Sequence, residues 1–277
     1  MKRLCKYPSR DHLGLQKVCD RALLCELGVV FLEGFTGEFE LHKTSQSATW
    51  DDVDFILMAA GTGSRMKSGV PKQWLTLCGR PLFLFVAERL ISFGATSVII
   101  VARSDELAQM EESIASARLP FCRVTAGGKD RQESVWFGMQ LATRHYAAVH
   151  DAARPFVEKA DVEAALQEVC KCDAVTLGHP VRDSLKRTDA FGVICETIDR
   201  RNTWQVQTPQ VFRLDLLCKA HELARHDGFE GTDDTVLVER IGHSVKIIRS
   251  SAWNVKITEP EDLDYMKMWE ASLCELD

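Results

Sequence analysis

From Val53 onward, the chain alternates between nearly continuous apolar runs and longer segments whose apolar residues recur at helical spacing. The runs VDFILMAA (53–60) and SVIIVA (97–102) show little polar alternation, which predicts strands buried on both faces of a sheet. Further strands are predicted at 122–126, 147–155 and 173–181. Helices are predicted between them, over 81–94, 105–118, 131–144 and 160–170. Strands that alternate with helices form a mostly parallel sheet with right-handed crossovers, so the sequence predicts an α/β domain.

Residues 184–200 interrupt this alternation. SLKRT, a turn near 189–192 and then VICETIDR predict a β-ribbon with few core residues. Because an isolated two-stranded ribbon is marginally stable in water, we expect this one to have a partner surface.

The C-terminal part of the chain returns to helices and strands. Helices are predicted over 214–225 and 235–241, a last strand pair around 245–258, and a closing helix that begins at Glu259–Pro260. In an extended strand, side chains two residues apart share a face. The pattern therefore predicts that Asn254, Lys256 and Thr258 point the same way.

Residues 1–50 lack the pattern of the main domain and are predicted to be an N-terminal extension of unknown role, with 51–277 as the main domain. The segment 19–32 fits a short helix or a strand, and its periodicity does not decide between them. The polar, small-residue stretch 44–49 is typical of a linker. Two interpretations of the extension stay open: a poorly ordered or upstream-start segment, and a small docking element.

Composition and charge narrow the possible function classes. The 34 Lys and Arg residues against 40 Asp and Glu residues give a net charge of −6, which does not favour sequence-independent nucleic-acid binding. Ten cysteines without a CxxC pair indicate reduced thiols of a cytoplasmic protein rather than disulfides or a zinc site.

We expect no membrane segment, because no apolar run is long enough to span a bilayer. His221 and His226 are five residues apart, one too many for a zinc-binding helix, and are predicted to be surface histidines.

The first predicted strand leads into a glycine-rich loop, AAGTGSRM (59–66), followed by PKQW (71–74). Gly61 and Gly63 allow a ligand to approach the backbone closely, and Arg65 and Lys72 add positive charge. Loops at the carboxyl ends of parallel strands bind ligands in such sheets, so this combination suits a triphosphate. The dinucleotide-binding fingerprint fails because residue 66 is Met rather than Gly, and the P-loop string is absent.

AAGTGSRM with PKQ resembles the signature of nucleotidyltransferases. It is most similar to the cytidylyltransferase family that makes 4-diphosphocytidyl-2-C-methyl-D-erythritol in the non-mevalonate isoprenoid pathway. Further family motifs follow in order within 53–270: GGKDRQESV (127–135), HDAARP (150–155), PVRDSLKR (180–187), TIDRRNTWQVQTPQ (197–210), TDD (232–234) and NVKITEPEDL (254–263).

The resemblance implies a three-layer α/β/α, Rossmann-like nucleotidyltransferase domain with a mostly parallel sheet and a protruding β-arm at about 182–202. It also implies transfer of CMP from CTP to 2-C-methyl-D-erythritol 4-phosphate, with release of pyrophosphate. Two alternatives stay open: a ribitol-5-phosphate cytidylyltransferase and, more remotely, a non-catalytic nucleotide-binding module.

The resemblance also assigns residues to the nucleotide. Arg65, Lys72 and Lys256 match the cations that would neutralise the phosphates and the charge that grows at the α-phosphorus. The remaining nucleotide-binding positions are Ala59, Ala60, Gly61, Gly63, Gly128 and Ser134, the last two at the cytosine. A structural alternative stays open in this segment, in which Arg131 is a helix-opening charge and Ser134 a capping hydroxyl.

Asp151 matches the family position that holds Mg²⁺ against the phosphates and lies near the acceptor. One carboxylate is enough, because Mg²⁺ keeps several waters and uses phosphate oxygens. The alternative is a structural bridge from Asp151 to Arg154. We expect His150 to be a packed neighbour rather than a base, since the attacking phosphate is already a dianion.

The resemblance places the acceptor at the β-arm. Ser184 and Arg200 would cross to the neighbouring subunit and bind methylerythritol phosphate there, which implies a homodimer. Ser184 departs from the threonine usual in the family but keeps the hydroxyl. Thr208 and Thr232 match positions near the acceptor, although each is equally expected as a turn or N-cap hydroxyl.

Overall fold

The structure is a computed structural model that describes residues 47–61, 66 and 71–274. Its helices are α1 (Leu82–Phe93), α2 (Leu107–Ser116), α3 (Arg131–Met139), α4 (Lys159–Cys172), α5 (Leu214–His226), α6 (Asp234–Arg240) and α7 (Leu263–Cys274). Its strands are β1 (Val53–Met58), β2 (Thr76–Leu77), β3 (Arg80–Pro81), β4 (Val98–Ala102), β5 (Cys122–Ala126), β6 (Tyr146–Asp151), β7 (Ala174–Pro180), β8 (Leu185–Thr188), β9 (Ile194–Ile198), β10 (Trp204–Arg213) and β11 (Lys246–Arg249).

Seven of the described strands form one sheet in the order β11–β7–β10–β6–β1–β4–β5. Strand β10 runs antiparallel to both of its neighbours, and every other pairing in this sheet is parallel. The mostly parallel sheet predicted from the apolar runs is therefore confirmed.

Side chains of β1 alternate between two apolar clusters, which makes the domain three layers thick. Phe55 and Leu57 pack with residues of α1, α2 and α4, whereas Ile56 packs with residues of α3, α5 and α6. All three side chains are fully buried. Helices cover both faces of β1, which explains why its sequence shows an apolar run rather than an alternating pattern.

Parallel pairing brings the carboxyl ends of the central strands to one edge of the sheet. Met58, the last residue of β1, pairs with Val101 of β4 and with Asp151 of β6. The segments that follow these strands therefore lie side by side, where α/β sheets bind ligands.

The interruption at 184–200 is the predicted ribbon. Strands β8 and β9 form their own antiparallel two-stranded sheet, separate from the main one. The Asp189 carboxylate accepts hydrogen bonds from the backbone N–H groups of Phe191 and Val193, which closes the turn, and Gly192 there has φ +83°. The predicted β-arm is therefore confirmed as a two-stranded ribbon that lies outside the main sheet.

Two predicted elements are shorter than expected. Helix α3 ends at Met139 rather than at residue 144, because the backbone N–H groups of Thr143 and Arg144 donate to the buried Asp54 carboxylate at 2.7 and 2.8 Å.

In the C-terminal part, the predicted strand pair is wrong. Within 245–258, a strand forms only at β11, so the expected alternation from Asn254 to Thr258 does not apply.

Most of the predicted N-terminal extension lies outside the described residues, including the segment 19–32 and half of the stretch 44–49. Residues 47–49 have no regular secondary structure. Trp50 begins a short 3₁₀ turn and stacks on Phe55 with ring centroids 5.7 Å apart. Across the described part of the chain, no helix combines the length and the apolar character needed to cross a membrane.

Candidate active site

A cavity of about 380 Å³ opens at the carboxyl edge of the sheet. In the part of the chain that the structure describes, its walls come from five separate stretches of sequence: the end of β1, the turn at 72–74, the start of α3, the end of β6 and the segment around Lys256. Eight of the residues predicted from sequence line it, namely Ala59, Ala60, Gly61, Lys72, Gly128, Ser134, Asp151 and Lys256. The predicted Gly63 and Arg65 lie outside the described residues.

Among the described residues, three cations surround the Asp151 carboxylate. Lys256 Nζ lies 2.6 Å from one oxygen, and the Nε atoms of Arg131 and Arg154 each lie 3.9 Å from a carboxylate oxygen. Burial by itself raises the pKa of Asp151, but the charges of Lys256 and Arg131 outweigh it and hold the pKa well below its ordinary value. The structure therefore contains the expected contact with Arg154 together with two further cations.

Arg131 links this carboxylate to a second one. Its Nη1 lies 2.7 Å from Asp234, which is fully buried and also accepts from His221 Nε2 at 3.1 Å. Burial raises the pKa of Asp234, but the Arg131 charge and the hydrogen bond from His221 together outweigh it, so the net pKa is lowered. Asp233, one residue earlier, caps α6 by accepting from the Val236 N–H.

The prediction that His221 is a surface histidine is wrong. His221 is fully buried, and it continues the buried face of α5 formed by Leu217, Ala220 and Ala224 at helical spacing. His226 is exposed, as predicted.

The loop that enters α3 is tightly built around Ser134. The Ser134 hydroxyl accepts from the Gly128 N–H at 3.0 Å and donates to the Asp130 carbonyl at 2.6 Å. A Cβ on Gly128 would lie 2.4 Å from the Glu133 side chain, so the loop requires glycine there. The helix cap is Asp130, which accepts from the Glu133 N–H, rather than Ser134.

His150 belongs to a chain of hydrogen bonds behind the cavity. The Asp151 N–H donates to Thr208 Oγ1 at 3.1 Å, and Thr208 Oγ1 lies 3.0 Å from His150 Nδ1. His150 Nε2 lies 3.2 Å from the Arg154 carbonyl, which only accepts, so Nε2 carries the proton and Nδ1 accepts from Thr208. Burial lowers the pKa of His150 to about 4. His150 is therefore a neutral packed neighbour, as expected.

Of the five residues predicted near the acceptor, Asp151 lines this cavity, whereas Ser184, Arg200, Thr208 and Thr232 are not part of the lining that the described residues give it. Thr208 is buried and supports Asp151 from behind. Thr232 is exposed just before α6, and Ser184 and Arg200 are exposed at the base of the β-arm. The Arg200 guanidinium donates to the carbonyl of Arg182.

Several lining residues were not predicted as functional from sequence. They are Met58, Gln73, Lys129, Asp130, Arg131, Ala152 and Ala153. Among them, Gln73 leads to a further residue outside the lining, because its Nε2 donates a hydrogen bond to the buried Glu106 carboxylate at 2.7 Å. Glu106 follows strand β4 at the ligand-binding edge, a position that could have identified it from sequence.

A metal at this site would have a limited protein ligand set. Within the described ranges, no group of three or more His, Cys, Asp or Glu residues is arranged to hold a metal ion. Asp151 is the carboxylate in the cavity wall whose pKa its neighbours lower. A single carboxylate fits Mg²⁺ that shares its coordination with substrate phosphates and water, and does not fit a structural zinc site.

The family model described as IspD: 2-C-methyl-D-erythritol 4-phosphate cytidylyltransferase matches residues 53–269. The chain belongs to this family. The 2-C-methyl-D-erythritol 4-phosphate cytidylyltransferase of Geobacillus kaustophilus is 41% identical over 217 residues, covering 76% of this chain and 94% of that protein. The cytidylyltransferase of Halalkalibacterium halodurans is 38% identical over 222 residues, with the same shares covered. The family resemblance drawn from the motifs is confirmed.

A solved cytidylyltransferase structure has the same fold. The 2-C-methyl-D-erythritol 4-phosphate cytidylyltransferase of Thermus thermophilus superposes with a TM-score of 0.66 at 29% identity. The superposition covers 79% of this chain and 99% of that one. The three-layer nucleotidyltransferase fold expected of a cytidylyltransferase is therefore confirmed.

Proposed function

We propose that this chain is an enzyme that transfers CMP from CTP to 2-C-methyl-D-erythritol 4-phosphate. The products are 4-diphosphocytidyl-2-C-methyl-D-erythritol, an isoprenoid precursor, and pyrophosphate. The observation that carries this proposal is the cavity in which Lys72, Lys256 and Asp151 meet the glycine-containing segments at Gly61 and Gly128. Family membership over 53–269 supports the same reaction.

Backbone and hydroxyl groups recognise the nucleotide in this proposal. The short side chains of Ala59 and Ala60 and the bare backbone of Gly61 leave room for phosphates beside the end of β1. Gly128 and Ser134 line the same cavity and would face the cytosine. A site built to pair with the amino group of cytosine discriminates against uracil, which would leave an acceptor unpaired.

The reaction is an in-line exchange of phosphate ester bonds. An oxygen of the acceptor phosphate forms a bond to the α-phosphorus, the bond from that phosphorus to the β-phosphate oxygen breaks, and its electron pair leaves with pyrophosphate. Lys72 and Lys256, together with Arg65 from outside the described residues, would neutralise the growing charge. His150 takes no part as a base, because both of its ring nitrogens are engaged and its pKa is lowered to about 4.

Mg²⁺ is part of the proposal. When bound, it would offset phosphate charge and orient the triphosphate. Asp151 is the residue that would hold it, and the low pKa of Asp151 keeps the carboxylate ionised for that purpose.

A homodimer through the β-arm would complete the acceptor site. In this chain, Ser184 and Arg200 are exposed on the arm rather than at the cavity, which supports a role toward a second copy. Near the arm's turn, Phe191 is 92% exposed and Ile194 is 60% exposed, apolar surface that a partner would cover. Thr208 and Thr232 remain proposed acceptor-side residues, with Thr208 acting from beneath Asp151.

The cytoplasm is the proposed compartment. Cys122, Cys170, Cys172, Cys195 and Cys218 are free thiols, which supports a reducing environment.

The experiment that tests the function compares two acceptors. Purified protein is incubated with CTP, Mg²⁺ and either 2-C-methyl-D-erythritol 4-phosphate or ribitol 5-phosphate, and pyrophosphate release is measured. We expect release with the methylerythritol phosphate. Preferential release with ribitol 5-phosphate would change the acceptor assignment, and release with neither would contradict the proposed reaction.

A further inference from the structure

Glu106 is a buried carboxylate next to the turn that carries Lys72. It is 7% exposed, and its two oxygens each accept a hydrogen bond. Gln73 Nε2 donates to Oε2 at 2.7 Å, and Trp74 Nε1 donates to Oε1 at 3.0 Å. Both donors belong to the 3₁₀ turn Lys72–Trp74. A single carboxylate thus holds the two residues that directly follow Lys72.

The turn has little structure of its own. It is three residues long, closed by backbone bonds from Trp74 N–H to the Pro71 carbonyl and from Leu75 N–H to the Lys72 carbonyl. Such turns have poorer hydrogen-bond geometry than α-helices and occur in short pieces. Lys72 Nζ lies 3.5 Å from the Ile257 carbonyl. The backbone position of Lys72 in this short turn depends in addition on what anchors the side chains that follow it.

Glu106, in contrast, lies in the short turn between strand β4 and helix α2. Its N–H donates to the Arg103 carbonyl at 3.0 Å, and its carbonyl accepts from the Met110 N–H at 3.0 Å at the start of α2. Ala102, at the end of β4, is fully buried. The carboxylate is therefore carried by a short turn between two rigid elements, a buried strand and a helix, and such elements position functional groups more accurately than long loops do.

This position needs two acceptors, which a carboxylate supplies. A glutamine would offer one acceptor oxygen and would turn its own NH₂ toward one of the two donors. Burying a carboxylate costs free energy that these charge-assisted hydrogen bonds offset.

On the basis of the proposed function, we propose that Glu106 is a positioning residue that acts through Gln73 and Trp74 to hold Lys72 at the reacting phosphates. Glu106 does not itself touch the substrate. A displacement of about 1 Å in a catalytic group can cost on the order of 10² in rate, so loss of this anchor should lower turnover more than it weakens binding.

The test is a double-variant cycle on pyrophosphate release from CTP. The proteins are wild type, Glu106→Gln, Lys72→Ala and the double variant, with Glu112→Gln on an exposed position of α2 as the matched control. We expect Glu106→Gln to lower kcat on the order of tenfold or more, with a change in KM for CTP below about threefold. Glu112→Gln should leave both constants unchanged. In the Lys72→Ala background, Glu106→Gln should have no further effect, because its target is gone.

Two results would overturn this inference alone: wild-type kcat in Glu106→Gln, or the same fold loss in both backgrounds while the wild type is active. If the wild type releases no pyrophosphate, the proposed function fails and this inference fails with it. If Glu106→Gln does not fold, Trp74→Phe replaces it, since it removes one donor and keeps a ring against Phe83, whose centroid lies 5.2 Å away. The same fall in kcat and the same loss of effect in the Lys72→Ala background are expected.

Discussion

Lys256 Nζ lies 2.6 Å from the Asp151 carboxylate in the wall of the cavity. This ion pair joins the cation proposed for the phosphates to the carboxylate proposed for Mg²⁺. Arg131 and Arg154 stand 3.9 Å from the same carboxylate. A divalent cation at Asp151 would therefore compete with Lys256, and phosphate groups would draw Lys256 away from Asp151.

Replacing Lys256 with Met should strengthen metal binding in the absence of nucleotide. With the competing charge gone, we expect Mn²⁺ to bind roughly three- to tenfold more tightly, measured by the electron paramagnetic resonance signal of free Mn²⁺. Lys267→Met is the control, because Lys267 forms an exposed pair with Asp264 away from the cavity lining. Equal or weaker Mn²⁺ binding by Lys256→Met would show that the pair does not limit access to Asp151.

Replacing Lys72 with Ala should remove charge stabilisation at the reacting phosphates. Turnover of CTP should fall by more than about tenfold while the thermal unfolding midpoint stays near that of the wild type. Lys219→Ala, on an exposed position of α5, should keep wild-type turnover. Wild-type turnover in Lys72→Ala would refute the assignment of this residue.

Stability should fall as the pH drops below about 6.5. Burial lowers the pKa of His150 to about 4 from an ordinary value of 6.5. As the pH falls between these values, the unfolded chain takes up a proton that folded His150 does not, so unfolding is favoured. The loss should reach roughly 3 kcal/mol at pH 4 and level off just below that, where folded His150 takes up its own proton. Asp151 and Asp234, whose pKa values are also lowered, extend the loss below pH 3.8.

Denaturant titrations from pH 7 to pH 4 measure this contribution. His150→Gln should show a smaller decrease in the free energy of unfolding over this range than the wild type. His243→Gln, at an exposed position, should show the wild-type decrease. Parallel curves for His150→Gln and the wild type would mean that His150 is not the group responsible.

The Arg131–Asp234 pair should matter far more to stability than a surface pair. Asp234→Ala leaves the Arg131 guanidinium without its 2.7 Å partner and His221 without its acceptor, so we expect a loss of about 3–5 kcal/mol. Asp264→Ala, which breaks the exposed pair with Lys267, should cost less than about 1 kcal/mol. Chemical denaturation of both variants measures the difference, and equal costs would contradict the role of the buried pair.

The sheet could be predicted from sequence, because a strand buried on both faces has a nearly continuous apolar sequence. The run around Phe55 is apolar since adjacent side chains enter opposite helix layers. The end of α3 could not be predicted, because the Asp54 carboxylate that captures the Thr143 and Arg144 N–H groups lies far away in sequence. The burial of His221 could not be predicted for a related reason: the fold brings its partner Asp234 to α5.

The site was predictable where residues follow strands and was less so elsewhere. Ala59, Ala60 and Gly61 directly follow β1, and Asp151 is the last residue of β6. The parallel topology therefore places them at one edge of the sheet. Lys256 was predicted through family motifs, while the alternation argued for it fails because its segment is irregular. The position of Glu106 after β4 indicates the ligand-binding edge, but its contacts with Gln73 and Trp74 follow no sequence motif.

The most direct test of the central claim is the affinity for Mg²⁺–CTP measured by isothermal titration calorimetry on four proteins: wild type, Lys72→Ala, Lys256→Ala and Lys219→Ala. If cations from distant segments meet on one nucleotide, binding should weaken by about tenfold or more in each of the two cavity variants and stay unchanged in Lys219→Ala. Wild-type affinity in both Lys72→Ala and Lys256→Ala would contradict the account.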